Sequence, residues 1–283
     1  RIVSISSYLC EKLNIGKTAE KNILRAAAIC NFDLATAMIG EKEYTGLQGY
    51  IGKQYALQWG EDENIAQAIE EHYIPNGFDG KIPENVSGQI VSLADKIDTL
   101  TGFFGIDILP TGSKDQYALR RTGNSLVKLI SEAGLSINLY ELTRFSYSLL
   151  NGILKEENHN LQKLEDFFKQ RVEQYLQQQG NDYDVINAVL ATDCEDIIKM
   201  VKRADAIQDI RNRDDFKHLM LSFKRVSNII AAEKNFLTAD ESLFTKPAEK
   251  ELYNSIMIAE ERVSELLKSF DYRGVLEQFL TLN

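Results

Sequence analysis

The sequence predicts an all-α protein, and three observations carry that prediction. Apolar residues recur at helical spacing almost throughout, as in Ile65, Ile69 and Tyr73, or Ile90, Leu93, Ile97, Leu100 and Phe104. Alternating strand patterns are scarce. Helix-starting and helix-stopping residues punctuate the chain at regular intervals. With 283 residues, 44% hydrophobic and 26% charged, the chain can bury a substantial core and is expected to hold two domains.

Taken in order, Thr18 with Gly16 upstream, Asp62 and Ser87 are expected to open helices, and Gly40, Gly60 and the turn at 76–80 to separate them. Pro110, Gly112 and Ser113 cannot propagate a helix, whereas Asp115 can cap a run over 116–130. These elements make a helical bundle over 1–152. Beyond Asn151 and Gly152 the composition turns to Glu, Gln, Lys and Asn, and Leu161, Leu164, Phe168, Val172 and Tyr175 form a single stripe. A long helix connecting the domains is therefore expected over 153–180, ended by Gly180 and Asn181. Helices over 184–190, 194–206 and 214–232 follow. A last one, opened by Thr245, Lys246 and Pro247 and running through Leu252, Ile256 and Met257, completes a second domain over 181–283.

Charge narrows the function. A net charge of -10 argues against nucleic acid binding over the whole surface, so any RNA site must be local. Between 199 and 225 the sign reverses: Lys199, Lys202, Arg203, Arg211, Arg213, Lys217, Lys224 and Arg225 outnumber Asp205, Asp209, Asp214 and Asp215. No apolar run approaches the length that crosses a bilayer, and no charged-then-apolar leader precedes Arg1, so a cytoplasmic fragment is expected. Cys10, Cys30 and Cys194 form no metal spacing and are read as reduced thiols.

Three constellations can carry chemistry. Asp33, His72 and Asp95 lie on successive helical segments and can converge as metal ligands; the plainer reading is a lone His at a helix end with two capping or solvated acids. Lys114, Arg120 and Arg121 can share one helix end with its exposed amides, which favours phosphate, or they are a solvated face beside an ordinary Asp115 cap. In FKRVSNI (223–229), Val226 with Ile229 or Ile230 is expected to face the core. Lys224, Arg225 and Asn228 then share the opposite face, where cations attract phosphate and Asn reads a base edge; salt bridges to Asp214, Asp215 or Glu233 are the alternative. No phosphate-loop, nucleophile-elbow or zinc-protease motif occurs. His159 and His218 have no evident partner, and the acids Glu70 and Glu71 beside His72 read as a solvated helix face.

One string is far from generic. LADKIDTLTGFFGIDIL (93–109) followed by PTGSKDQYALRR (110–121) resembles a block of the β subunit of bacterial heterotetrameric glycyl-tRNA synthetase, usually worded ADKLDTLVGIFGIG and PTGSKDPFALRR, with Gln116 and Tyr117 here in place of Pro and Phe. The first half is also similar to the HD superfamily of metal-dependent phosphohydrolases. Asp33 falls at the Asp of the central His-Asp pair and Asp95 at the late Asp, but Phe32 occupies the paired His and no His precedes His72. The resemblance therefore implies an HD-like fold without HD chemistry. NDYDVINAVLA (181–191), FKRVSNI and FTKPAEKELY (244–253) resemble the family's anticodon-binding domain, a bundle related to the DALR domain.

The resemblance implies the C-terminal portion of that β subunit, lacking its N-terminal half and a last helix. It implies glycine tRNA and the α subunit as partners in an α2β2 assembly, with ATP and magnesium bound on α and no cofactor, metal, DNA or membrane here. The fragment alone is then expected to be catalytically inactive. A stand-alone HD phosphohydrolase and a non-RNA helical interaction module are the rival readings.

Overall fold

The structure, a computed structural model, describes residues 1–153, 158–192, 195–230 and 239–282. Expectations for Cys194, Ala232, Glu233 and the His159 side chain lie outside what it describes. Among the described residues there is no strand, and Thr111 and Lys114 form an isolated bridge, so the chain is all-α. It divides into two compact units, Arg1–Gln179 with Thr192–Ile198, and Gly180–Ala191 with Lys199–Asn283.

The first unit is built around one helix. α1 (Ile2–Lys12), α2 (Lys17–Ile29), the short α3 (Ala37–Gly40), α4 (Tyr50–Gln58) and α5 (Glu63–Glu71) lead to α6 (Val86–Gly105). α7 (Leu119–Glu132), α8 (Leu139–Ser148) and α9 (Asn158–Gln178) follow. α6 packs against α1, α2, α5, α7, α8 and α9. Its composition says why. Ile90, Val91, Leu93, Ala94, Ile97, Leu100 and Phe104 are all buried, so apolar side chains go round the helix and every side needs a neighbour. Polar groups enclosed with them are paired. Thr101 Oγ1 donates to the Ile97 carbonyl at 2.8 Å, and Lys96 Nζ donates to the His72 carbonyl at 3.0 Å and to Ser92 Oγ at 2.8 Å.

Helix starts follow the expected residues closely, with two exceptions, α7 and the helix expected over 194–206, which spans Ile197–Ile210. Asp62 caps α5, its Oδ1 accepting from Asn64 N at 2.8 Å. α2 and α6 each begin one residue before Thr18 and Ser87, behind Gly16 and Asn85. α7 departs further: Ala118 has φ 54°, a left-handed conformation that breaks the run expected from Gln116. Asp115 reaches across that break and accepts from Leu119 N at 2.8 Å and Arg120 N at 3.0 Å, so the helix begins three residues late with its cap intact.

α9, the helix that the sequence places between domains, packs in the first unit against α6, α7 and α8. The stripe is present, with Leu164, Phe168, Val172 and Tyr175 buried, and Phe167, Arg171 and Leu176 widen it. Gly123 of α7 permits the approach, because a Cβ there would lie 2.6 Å from Phe167 Cε1 and 3.0 Å from Arg171 Cγ. Gly123→Ala is accordingly expected to cost about 1–3 kcal/mol through overpacking, read as a lower urea midpoint. A midpoint equal to the parent's would mean that the Phe167 ring has room to yield. Residues 195 and 196 return to the same unit: Leu139 N donates to the Glu195 carbonyl at 2.7 Å, Asn138 Nδ2 to Glu195 Oε2 at 2.9 Å, and Ser136 Oγ to Asp196 Oδ2 at 3.1 Å.

The second unit holds α10 (Tyr183–Leu190), most of α11 (Ile197–Ile210), α12 (Asp214–Ile230), α13 (Pro247–Lys268) and α14 (Tyr272–Leu280). α13 opens where expected: Pro247 is its first residue, and Glu249 Oε2 accepts from the amides of Thr245 and Lys246 at 2.8 and 2.9 Å. Val185, Ile186, Val189, Met200, Ala204 and Ile210 are buried. α12 overturns an expectation. Val226, Ile229 and Ile230 are 54%, 72% and 42% exposed instead of facing a core. The stripe has the period of a packed helix, but the main neighbour of α12 among the described residues is α14, which leaves that face open.

Candidate functional site

The residues matched to HD positions share one neighbourhood, in an arrangement where surrounding groups engage their polar atoms. Asp33 sits fully buried in the turn Phe32–Ala35. Its Oδ2 accepts from Gly49 N at 2.8 Å and its Oδ1 from the Tyr73 hydroxyl at 2.8 Å. Gly49 has φ 78°, and a Cβ there would meet Tyr73 Cδ2 at 2.8 Å, so only glycine fits this approach. His72, fully buried where α5 ends, donates from Nδ1 to the Ile69 carbonyl at 2.6 Å, and its Nε2 lies 3.2 Å from Asn31 Oδ1. Burial holds this imidazole below its ordinary pKa. Asn31 Nδ2 in turn donates to Asp95 Oδ1 at 3.1 Å.

Phe32 turns its ring to Trp59, with centroids 5.2 Å apart. Among the described residues, no group of three or more His, Cys, Asp or Glu side chains is placed to hold a metal ion. Asn31 and Tyr73, which link the acids and the imidazole, escaped sequence reasoning. The signal was adjacency: one directly precedes the Phe32–Asp33 pair and the other directly follows His72.

The loop before α7 separates the three cations that the sequence groups. Thr111 and Lys114 exchange backbone hydrogen bonds of 3.0 and 2.8 Å around Gly112, whose φ is 49°. Lys114 borders a small cavity of about 180 Å³ with Ile108, Pro110 and Tyr117. Arg120 and Arg121 border a different cavity, of about 480 Å³, with the turn at 76–79, Asn124 and Gln178. Only Asp115 lines both. Because its carboxylate caps the amides of Leu119 and Arg120, those amides are not open to an outside anion, which agrees with Asp115 as an ordinary cap and not with exposed amides shared by the cations.

The basic island divides into cations that hold the second unit together and cations that face outward. Arg211 pairs with Asp182 and with Asp184, Arg213 with Asp215 and Glu277, and Lys217 with Asp214. Lys199 and Lys202 stand over the Phe270 ring at 5.0 and 5.7 Å, and Arg203 over Tyr272 at 5.2 Å. Lys224, Arg225 and Asn228 are exposed, and at spacings of three and four they share one face of α12. Asp214 and Asp215 are taken by Lys217 and Arg213, so neither pairs with Lys224 or Arg225 among the described residues. Beside them Lys224 borders an apolar groove of about 970 Å³ lined by Val185, Ile207, Phe216, Met220 and Phe223.

Comparison with known proteins converges on one family. The family profile described as glycyl-tRNA synthetase beta subunit matches residues 1–191. Over its whole length the chain is 36% identical to a glycine–tRNA ligase beta subunit of Lactobacillus acidophilus and 37% identical to that of Lactobacillus gasseri, covering 42% of each. Against the corresponding protein of Acidobacterium capsulatum it is 38% identical, with 93% of this chain and 38% of that protein covered. The chain thus spans about two fifths of the length of these relatives. That share is a length and names no end, so the C-terminal placement expected from the sequence is not carried by these matches. With the profile covering the whole of α1 to α10 and the relatives aligning over the full chain, this protein belongs to the glycyl-tRNA synthetase beta subunit family.

Proposed function

We propose that this chain is a tRNA-binding part of a glycyl-tRNA synthetase β subunit, supporting attachment of glycine to its tRNA on a separate α subunit. The names of the relatives supply the reaction. The observation that carries the binding role is the outward face of α12, where Lys224 and Arg225 lack a carboxylate partner among the described residues of a chain with net charge -10. In this reading residues 1–152 are an HD-like bundle without metal chemistry, 153–180 a following helix, and 181–283 a DALR-like anticodon-binding bundle. ATP and magnesium belong to the α subunit in a cytoplasmic α2β2 enzyme, and Lys114, Arg120 and Arg121 are accessory RNA contacts.

The reading is tested by tRNA binding across a salt series, glycine tRNA against another tRNA. Arg225→Ala is expected to weaken both about evenly and to flatten the salt slope by roughly one unit, whereas Asn228→Ala should cost roughly 1–3 kcal/mol and relax the preference for glycine tRNA. Folded variants that bind like the parent would remove α12 from the RNA interface. A second reading is favoured by the exposed Phe223, Val226 and Ile229: a helical protein-interaction surface, which would show salt-insensitive partner binding and no affinity for tRNA.

A further inference from the structure

We infer that the cleft bordered by the turn at 76–79, the first turns of α7 and the end of α9 is a site for a ribose phosphate, with Arg120 and Arg121 holding the phosphate and Asn124 accepting from a ribose hydroxyl. The inference rests on the RNA-binding reading and narrows it to one place and one chemistry. At about 480 Å³ the cleft has the volume of a nucleotide-sized ligand, and its walls are polar. Asn124, half-buried, lines it, and its Oδ1 is enclosed without a hydrogen-bond partner among the described residues, so a small rotation of the amide would be needed to offer it to a ligand.

The charge balance points the same way. Asp115 and Asp79 are the acids of the cleft. Both oxygens of Asp115 are engaged by helix amides, and Asp79 Oδ1 accepts from Gln178 Nε2 at 3.5 Å. Arg120 and Arg121 have no carboxylate within ion-pair distance among the described residues. Behind them Arg171 is 5% exposed and its Nε has no partner. Burial, and next the charge of Arg120, hold that guanidinium below its ordinary pKa. The lining carries two arginines and two acids, but the acids are engaged by protein donors while Arg120 and Arg121 are not ion-paired among the described residues, so their guanidinium groups are the ones available to a phosphate. Lys114 lines the other cavity and lies outside the site, as do the capped amides of α7.

A ribose phosphate has two sources here, an RNA strand or a free mononucleotide, and the test separates them. The full chain would be titrated with fluorescent glycine tRNA, with a DNA strand of the same sequence, and with 5′-AMP by calorimetry. Arg120→Gln and Arg121→Gln are expected each to flatten the salt slope for tRNA by roughly one unit. Asn124→Leu should leave that slope unchanged and reduce the preference for RNA over DNA roughly 5–10-fold. If 5′-AMP binds and is lost in the same three variants while tRNA is indifferent to them, the site stands with a mononucleotide as its source. If tRNA binds and neither its affinity, its slope nor its RNA preference responds, and 5′-AMP does not bind, the cleft is not a site although the tRNA-binding reading survives. If 5′-AMP binds at the cleft and tRNA does not bind at all, the site stands and that reading falls. Thermal melts of each variant verify folding, and Arg120→Lys supplies a milder change at the same position should Arg120→Gln unfold.

Discussion

Asp33→Ala is expected to destabilise the protein by roughly 3–5 kcal/mol. The carboxylate is fully buried and accepts two hydrogen bonds, from Gly49 N and from the Tyr73 hydroxyl. Removing it strands two enclosed donors, each costing about 1–3 kcal/mol, and opens a small void. Asp33→Asn should cost clearly less, because the amide oxygen still accepts from Gly49 while its nitrogen turns to the Tyr73 oxygen. Urea unfolding of the parent and both variants gives the comparison. Equal midpoints for Asp33→Ala and the parent would show that this carboxylate has no structural task. The ordering matters because both acceptors of this carboxylate are engaged by the fold.

Lys96→Met is expected to separate from the parent with pH rather than at one pH. Burial, opposed by the charge of Asp95, brings the Lys96 ammonium down from 10.5 to about 8 in the folded state. Below pH 8 both states carry the proton, and the folded state bears the full cost of an enclosed charge. Between pH 8 and about 10.5 the unfolded chain binds more protons than the folded one, so stability rises with pH. Relative to Lys96→Met the parent should therefore gain up to roughly 3 kcal/mol across that window. Burial pushes the thiols of Cys10 and Cys30 up to about 11 and about 12, which destabilises the fold at high pH, but both proteins share that effect and it cancels in the difference. A gap that stays constant from pH 7.5 to 10.5 would mean that Lys96 keeps its proton in the folded state.

Much of the fold was legible because local signals and packing agree. The run Ile90, Leu93, Ile97, Leu100 and Phe104 marks a helix by spacing, and the same residues form the buried seam of α6. Asp62 and Pro247 mark helix starts because each does there what its side chain favours. The start of α7 was not legible, since the left-handed Ala118 is imposed by a loop whose Tyr117 packs on Phe103 with centroids 4.4 Å apart, and an alanine gives no local warning of that. Nor was the exposure of Val226 and Ile229, because amphipathic spacing tells which side chains share a face and not whether a neighbour covers it. The candidate site divides the same way. Arg120, Arg121 and Asn124 share one face of α7 at helical spacing, whereas the turn at 76–79 and Gln178 join the cleft only through tertiary packing, which no spacing rule reaches.

The path of the chain has a consequence for anyone dissecting it. The backbone leaves the first unit after Gln179, returns for Thr192–Ile198, and leaves again. A gene fragment ending at 179 would strip Leu139 N, Asn138 and Ser136 of the partners that Glu195 and Asp196 provide, and one beginning at 199 would discard α10 and with it the buried Val185, Ile186 and Val189. No single scission yields two intact halves. The units must be expressed, exchanged between homologues and inherited together, and a library of chimaeras joined at any one position should recover soluble proteins only where both parents supply compatible versions of the returning strap.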